Sequence, residues 1–277
     1  MNIKLLFLLG TIICSTNSKA LDGSYVFGAK AYSLGFCGLL SNDLWSLYNN
    51  PGAVALMGKS AVGLSIQNKF GVSKLNAGSL AANLRSDYGS MGLFAFSFGN
   101  TSYNQYAYGV SFSRLLIPKF SLGITLYYTG IYVSDYGNFG TPAFNIGCAF
   151  PVNDNFSGAF KISNPTSNKI SHLSAESTQA SAAFGLSHKV ASNTKLYLEA
   201  EIYESYPLDF RCGIEYAPKG SFYAMRTGFS TLRRSIAIGL SLEKNVKVIV
   251  AFTYHNRLGA SSTLDTHYYF GKSIQEK

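Results

Sequence analysis

Bulky apolar residues and small polar residues alternate along most of the chain after residue 60. In the clearest run, bulky residues stand at every second position: Phe120, Leu122, Ile124, Leu126 and Tyr128. The positions between them carry small residues: Ser121, Gly123 and Thr125. The same two-residue period returns at 106–113 and 235–242. Because successive side chains of a β-strand point to opposite faces, this period predicts strands.

The second face of these predicted strands carries small side chains instead of charged ones. A soluble antiparallel sheet with one wet face would carry charged residues there, whereas this face is mostly glycine, alanine, serine and threonine. Turn-forming clusters from residues 85–90 onward divide the body into about 14 runs, within a range of roughly eight to sixteen. We therefore predict an all-β fold, a transmembrane antiparallel β-barrel of about 14 strands with lipid outside and a filled or narrow lumen.

The first 20 residues have the features of a secretory signal peptide. Lys4 supplies the positive start, residues 5–13 are apolar, and residues 18–20 (Ser-Lys-Ala) form a small-x-small cleavage site. The mature chain is expected to begin at Leu21. A lipoprotein signal centred on Cys14 is the alternative reading. The apolar stretch is too short to cross a bilayer as a helix, and no later run reaches about 20 apolar residues.

The segment between this leader and the first strand does not alternate. Residues 41–43 (Ser-Asn-Asp) have the chemistry of a helix cap. The apolar residues after them recur at helical spacing: Leu44, Leu47 and Tyr48. Pro51 is expected to end this short helix. We predict a signal peptide at 1–20, a plug or hatch segment at 21–60, and the barrel at 61–277.

Composition favours an exported membrane protein over other classes. Only 13% of the residues are charged, and the aromatic residues are 19 Tyr and 20 Phe beside 1 Trp. The net charge of +9 would suit nucleic acid, but the basic residues are scattered among turns and form no patch. We therefore expect outer-membrane lipid as a partner, and no nucleic acid.

Histidines and cysteines give no sign of metal binding or catalysis. The four histidines lack the spacing of metal ligands: His172, His188, His255 and His267. The three cysteines that remain after cleavage have no Cys-x-x-Cys spacing: Cys37, Cys148 and Cys212. A Ser-His-acid triad stays open, since its members can lie far apart in a chain. We predict no enzyme, no cofactor and no metal.

One group of charged residues stands out against the apolar alternation. On three consecutive predicted strands, the residues that would face lipid are apolar, which turns five charged side chains inward: Glu199, Glu201, Arg211, Glu215 and Arg226. An arginine facing lipid at the midplane would cost about 2–4 kcal/mol, which supports the inward assignment. This lumenal charge cluster is read either as an ion-pair network that fills a narrow barrel or as a polar gate that contacts the plug.

The plug segment also carries a motif. Its residues are Gly28, Ala29, Ala31, Gly35, Asp43, Trp45, Asn50 and Pro51. They resemble the N-terminal signature of the PorV/PorQ family of outer-membrane proteins, typical of the Bacteroidetes, which is similar in fold to FadL-like barrels. The chain departs from that signature at Leu34, where the family has methionine, and at residues 52–53, where Gly-Ala replaces Ala-Gly.

The resemblance implies a 14-stranded barrel with an N-terminal plug in a bacterial outer membrane. It also implies one of two roles. In the first, the protein acts with partner proteins in type IX secretion or envelope assembly. In the alternative, it is a FadL-like passive transporter of small hydrophobic molecules. A third hypothesis, independent of the resemblance, is an outer-membrane acyl or ester hydrolase; its only basis is that a Ser-His-acid triad stays open.

Overall fold

The computed structural model describes residues 25–170, 178–243 and 246–271. The predicted signal peptide and His172 lie outside these ranges. Within them the strands are β1 (Ser60–Asn68), β2 (Asn76–Ser86), β3 (Gly89–Gly99), β4 (Tyr103–Ile117), β5 (Phe120–Val133), β6 (Gly137–Pro151), β7 (Phe156–Ser163), β8 (Ser181–Ala191), β9 (Thr194–Tyr203), β10 (Asp209–Tyr216), β11 (Tyr223–Ser230), β12 (Ser235–Glu243), β13 (Val246–His255) and β14 (Gly259–Phe270). Three short helices precede them: α1 (Ala29–Ser33), α2 (Ser46–Asn49) and α3 (Pro51–Val54). None of these described helices has the length and apolar character needed to cross a membrane.

The fourteen described strands form one closed antiparallel barrel, which confirms the predicted fold class. Each strand pairs with its neighbours in the chain, and β1 closes the barrel by pairing with β14. The closing ladder runs from Ser60 opposite Phe270 to Asn68 opposite Ser262. The sheet therefore has no unpaired edge strand.

The alternation along the strands separates an apolar exterior from an interior of small and polar residues. On β12, Ile236 and Leu240 are exposed, whereas Ser235 and Ala237 are buried. A closed barrel satisfies its backbone hydrogen bonds internally, so it is one of the two structures that can span a bilayer. An even number of antiparallel strands with an apolar exterior is the architecture of bacterial outer-membrane barrels. The protein is therefore an outer-membrane barrel.

The two ends of the barrel differ in the length of their connections. We call the end where β1 begins and β14 ends the terminal end, and the opposite end the loop end. Terminal-end connections are as short as residues 118–119 and 192–193, while the loop end has the longest connection, residues 164–180. Barrels of this class have short periplasmic turns and longer extracellular loops, so the loop end faces outward from the cell.

The turn clusters predicted from the sequence leave out two connections, although Gly71 and Pro118 in them are turn-forming residues. Residues 69–75 and 118–119 separate strands, yet neither range falls among the turn-forming clusters. At the first, Phe70 and Gly71 adopt φ of 57° and 68°, so the chain reverses in the left-handed region. The surrounding apolar residues conceal this turn, because they continue the pattern of a strand.

The described part of the segment before β1, residues 25–59, lies inside the barrel, and we call it the plug. One helix was expected here, and the plug contains three. Pro51 does not simply end a helix: α2 ends at Asn49, and Pro51 begins α3, with the Asn50 side chain accepting from the Gly52 amide. Proline suits this first helical position because its missing N–H would have no intrahelical partner. The hydrophobic core therefore lies between the plug and the barrel wall.

Candidate functional site: the plugged lumen

Seven strands bring a glycine against the plug, and we call this set the glycine belt. Its members are Gly63, Gly92, Gly123, Gly147, Gly213, Gly228 and Gly239. A β-carbon added at any of them would lie less than 3.0 Å from a plug atom; at Gly213 that distance would be 2.6 Å, to the Leu34 carbonyl oxygen. Glycine permits this close approach because it has no side chain. The plug therefore fits against the wall around much of the lumen.

Trp45 of the predicted plug motif attaches the plug to β14. Its indole Nε1 donates to Asp265 Oδ2 at 2.9 Å and to His267 Nε2 at 3.0 Å. The Ala29 amide donates to the same Asp265 oxygen at 2.5 Å. Gly28 has φ of 93°, and a side chain there would overlap the Trp45 ring. Two motif residues, Ala29 and Trp45, therefore bind the buried Asp265 carboxylate, and a third, Gly28, lies against the Trp45 indole.

Asn50 attaches the plug on the opposite side of the barrel. Its Nδ2 donates to the carbonyl of Leu39 at 2.9 Å and to the carbonyl of Cys148 on β6 at 3.1 Å. The first contact closes the plug on itself, and the second bonds it to the wall. Pro51 follows, with its backbone against Gly123 of the glycine belt.

Two further motif residues, Asp43 and Gly35, shape the plug backbone. Asp43 Oδ1 accepts from the Trp45 amide at 3.0 Å, just before α2 begins. Gly35 has φ of 67° and lies against the backbone of Phe229 on β11, where a side chain would collide. The eighth motif residue, Ala31, is buried against Val26 and Phe36, so all eight contact the plug itself or the wall beside it.

The predicted lumenal charge cluster divides into two groups. In the first, which we call the Arg211 cluster, the Arg211 guanidinium lies 2.5 Å from Glu201 Oε2, 2.7 Å from Asp209 Oδ2 and 3.8 Å from Glu199 Oε2. These four side chains are buried. Arg211 also donates to the Phe36 carbonyl of the plug at 3.3 Å. A buried charge that keeps its partners in this way avoids the full cost of desolvation.

The second group joins the wall to α1. Glu215 and Arg226 stand opposite each other on β10 and β11, with 2.5 Å between Glu215 Oε2 and Arg226 Nε. The ammonium of Lys30 on α1 lies 3.8 Å from the same carboxylate oxygen. Both groups therefore combine an ion pair of the wall with a contact to the plug.

Sequence reasoning missed several polar residues of the lumen: Lys30, Lys161, Asp209, Asp265 and His267. The alternation contained a signal for some of them. Lys161 stands between Phe160 and Ile162, which face outward, so its own side chain faces the lumen. Asp209 stands two residues before Arg211 and shares its face. Lys30 carried no such signal, because the plug has no two-residue period.

Rings from the plug and from the wall meet in the lumen and form an aromatic chamber, defined by Tyr48, Phe94, Phe96 and Tyr127. Phe27 occupies it, with its ring centroid 4.5 Å from that of Tyr48 and 4.8 Å from that of Phe96. The Phe27 backbone is held by the plug itself: its amide donates to Asn49 Oδ1 at 2.9 Å, and its carbonyl accepts from Asn49 Nδ2 at 2.7 Å. A side chain of the plug thus fills an apolar, ring-lined space.

Two spaces adjoin the plug. A small cavity of about 10 Å³ is lined by Tyr25, Val26, Gly38, Leu39, Asn49, Lys161, Glu199, Glu201 and Arg211. A cleft of about 580 Å³ opens at the terminal end and is lined by Asn42, Met57, Lys59, Glu243, Lys247, Tyr268 and Tyr269. A space of the first size holds about one water molecule. Plug residues take part in both the aromatic chamber, through Tyr48, and the larger cleft, through Asn42, Met57 and Lys59.

The described histidines have structural contacts. His188 stacks on Phe156 with 4.0 Å between ring centroids, and His255 Nδ1 accepts from the Arg257 and Leu258 amides at 3.1 Å. Across residues 25–170, 178–243 and 246–271, no three His, Cys, Asp or Glu side chains are grouped to hold a metal ion. None of these contacts supports the hydrolase reading.

No protein-family model matches this sequence, and a search of curated proteins finds no match. Solved structures do match it. The toluene transporter TbuX of Ralstonia pickettii has a TM-score of 0.68 at 11% identity, covering 88% of this chain and 98% of that chain. A FadL homologue of Pseudomonas aeruginosa has a TM-score of 0.66 at 12% identity, covering 90% of this chain and 99% of that chain. The monoaromatic hydrocarbon channel CymD has a TM-score of 0.65 at 13% identity, covering 93% of this chain and 100% of that chain. None of these three is named as an enzyme. The likeness establishes that this chain has the fold of FadL-type outer-membrane barrels.

Proposed function

We propose that this protein is a passive transporter of small hydrophobic molecules across the outer membrane. The observation that carries the proposal is the aromatic chamber, in which Phe27 of the plug takes the place that a hydrophobic ligand would take. Apolar, ring-lined sites with few polar groups are typical of small-molecule binding. The names of the similar structures, a toluene transporter and a monoaromatic hydrocarbon channel, agree with a ligand of about one ring.

The plug gives the chamber a means of opening. Phe27 is bonded to Asn49, within the plug, whereas Leu39 and Asn50 are bonded to the wall. Displacing Phe27 therefore breaks its hydrogen bonds to Asn49 and its ring contacts with the chamber, and it leaves the hydrogen bonds of Leu39 and Asn50 to the wall in place. A ligand whose ring replaces the Phe27 ring recovers the lost apolar contacts and shifts the population toward the displaced state. Gly28, with φ of 93°, lies next in the chain and supplies a point of rotation.

The PorV/PorQ resemblance stays a prediction, because no family model matches the chain. Nothing in the comparisons points to type IX secretion, and we propose no secretion partner. The transport reading, which the same resemblance offered as its alternative, is the one that the similar structures support.

The test is uptake of radiolabelled toluene by Gram-negative cells that lack a hydrocarbon channel and produce this protein. We expect uptake several-fold above that of cells without it. Phe96→Ala removes one wall of the chamber and should lower uptake about twofold to tenfold, since an aromatic contact contributes about 0.5–1.5 kcal/mol. Phe184→Ala is the matched control, because Phe184 lies on the outer face of β8 and is exposed.

Two results would contradict the proposal. Uptake equal to that of cells without the protein would exclude transport of this ligand class. Equal losses in Phe96→Ala and Phe184→Ala would show that the chamber has no special part in uptake. Recovery of the barrel with a stable set of envelope proteins, together with either result, would favour the assembly role instead.

A further inference from the structure

Lys161 is a buried ammonium beside the aromatic chamber. Lys161 lies on β7 and is 7% exposed. Its Nζ lies 5.7 Å from the centroid of the Tyr48 ring. No ion pair among the described residues includes it. The Lys161 side chain lines the small cavity instead. An ammonium out of water is costly unless acceptors surround it, so this group favours an acceptor in the cavity.

Glu199 presents the complementary group to the same cavity. Its Oε1 accepts from the Leu39 amide of the plug at 2.7 Å. Its Oε2 is buried without a hydrogen-bond partner among the described residues, and its nearest cation is Arg211, at 3.8 Å. A carboxylate oxygen in this state favours a donor. Within the part of the chain that the structure describes, the cavity thus has a donor and an acceptor that both lack a hydrogen bond.

From these groups we infer that the transported ligand is a ring that carries a neutral hydroxyl group, as phenols do. This inference rests on the proposed transport function and specifies its ligand. A hydroxyl accepts from an ammonium and donates to a carboxylate, so it satisfies Lys161 and Glu199 together. The Tyr48 ring of the chamber lies 5.7 Å from the Lys161 ammonium that lines the cavity, so a ligand ring in the chamber can place its hydroxyl in the cavity.

The charges of the cavity exclude the other head groups. Two cations, Lys161 and Arg211, and two carboxylates, Glu199 and Glu201, line it, and a third carboxylate, that of Asp209, pairs with Arg211 beside it. A ligand carboxylate would add a fourth negative charge to these three, and a ligand ammonium, which has no acceptor, would leave Lys161 without a hydrogen bond. A plain hydrocarbon would bury both unbonded groups without satisfying either of them.

The same stretch of the plug covers both spaces. Tyr25 and Val26 line the cavity, and Phe27 fills the chamber. Displacement of these three residues would join the two spaces into one site with an aromatic body and a polar end. The cavity of about 10 Å³ therefore grows into a head-group pocket by the motion that empties the chamber.

The test compares three ligands with the same methylated ring: toluene, p-cresol and p-toluate. Their binding to the purified barrel is measured by equilibrium dialysis of the radiolabelled compounds, with detergent micelles alone subtracted. We expect p-cresol to bind about tenfold more tightly than toluene and p-toluate, as hydrogen bonds to charged groups allow. Lys161→Met should reduce the p-cresol to toluene affinity ratio to below about two. Lys195→Met is the matched control, because Lys195 also lies over a tyrosine ring, that of Tyr197, but does not line the cavity.

The outcomes separate the two proposals. If toluene and p-cresol bind with equal affinity, the cavity takes only water and the hydroxyl inference is wrong, while transport of hydrophobic rings stands. If p-toluate binds most tightly, the head group is an anion and the inference is again wrong. If none of the three binds, the transport function itself fails. The ratio in the unaltered protein decides the matter even if Lys161→Met does not fold.

Discussion

Replacement of Arg211 by methionine should destabilise the whole barrel. Methionine keeps much of the aliphatic stem but removes the guanidinium that Glu201, Asp209 and Glu199 share. Three buried carboxylates would then lose their common cation. The substitution would also remove the hydrogen bond to the Phe36 carbonyl, and with it a contact between the wall and the plug.

The magnitude follows from the burial of the Arg211 cluster. Removing one partner of a buried ion pair costs about 3–5 kcal/mol, because the remaining charge stays desolvated. The Arg211 side chain is 3% exposed, and two of its three carboxylate contacts are at hydrogen-bond distance. We therefore expect a loss in the upper part of that range, about 4–5 kcal/mol in the free energy of unfolding.

The assay is urea unfolding of the barrel in lipid vesicles, followed by the gel shift between boiled and unboiled samples. Arg257→Met is the control: Arg257 is exposed at the loop end, so its replacement should change the unfolding free energy by less than about 1 kcal/mol. The double variant Arg211→Met with Glu201→Gln should recover about 1–2 kcal/mol, since it removes one of the unpaired charges. A loss below about 1 kcal/mol for Arg211→Met alone would refute the reasoning, because it would mean that the carboxylates do not need this partner.

Two further substitutions address the plug. Trp45→Phe removes the donor to Asp265 and His267 and should weaken plug attachment by about 2–3 kcal/mol, seen as faster protease cleavage within the plug and a larger single-channel conductance. Unchanged cleavage and conductance would show that packing alone holds the plug. Gly228→Ala places a methyl group against plug backbone and should cost about 1–3 kcal/mol and raise conductance, whereas Gly78→Ala, with open space around it, should do neither. Equal effects of the two alanines would disprove the tight fit at the belt.

The sequence predicted those features that depend on short-range periodicity. The strand faces followed from alternation, as at Ile236 and Ser235, and the same rule turned Arg211 and Arg226 inward. Such a rule gives the face of a residue but not its height in the barrel, which depends on the stagger of the strands. For that reason the inward charges were read as one patch, whereas the stagger and the plug place them in two groups.

Contacts between distant parts of the chain had no local signal. Trp45 and Asp265 are 220 residues apart, and their hydrogen bond depends on how the plug is threaded through the closed barrel. The motif that contains Trp45 pointed to a plug without indicating its partners. Phe27 is a similar case, because nothing in its neighbourhood in the sequence distinguishes a ring that fills the aromatic chamber from any other apolar residue.

The glycine belt has a consequence for how this barrel and its relatives diverge. At Gly123 and Gly228 the wall contacts the backbone of the plug, so the fit depends on the plug's backbone path as well as on its side chains. A plug taken from a related barrel would fit only if its backbone followed the same path, whatever its sequence. The plug and the wall glycines should therefore change together in evolution, because a plug with a different backbone path needs glycines at different wall positions. Chimeras that exchange residues 25–59 alone should fail to assemble.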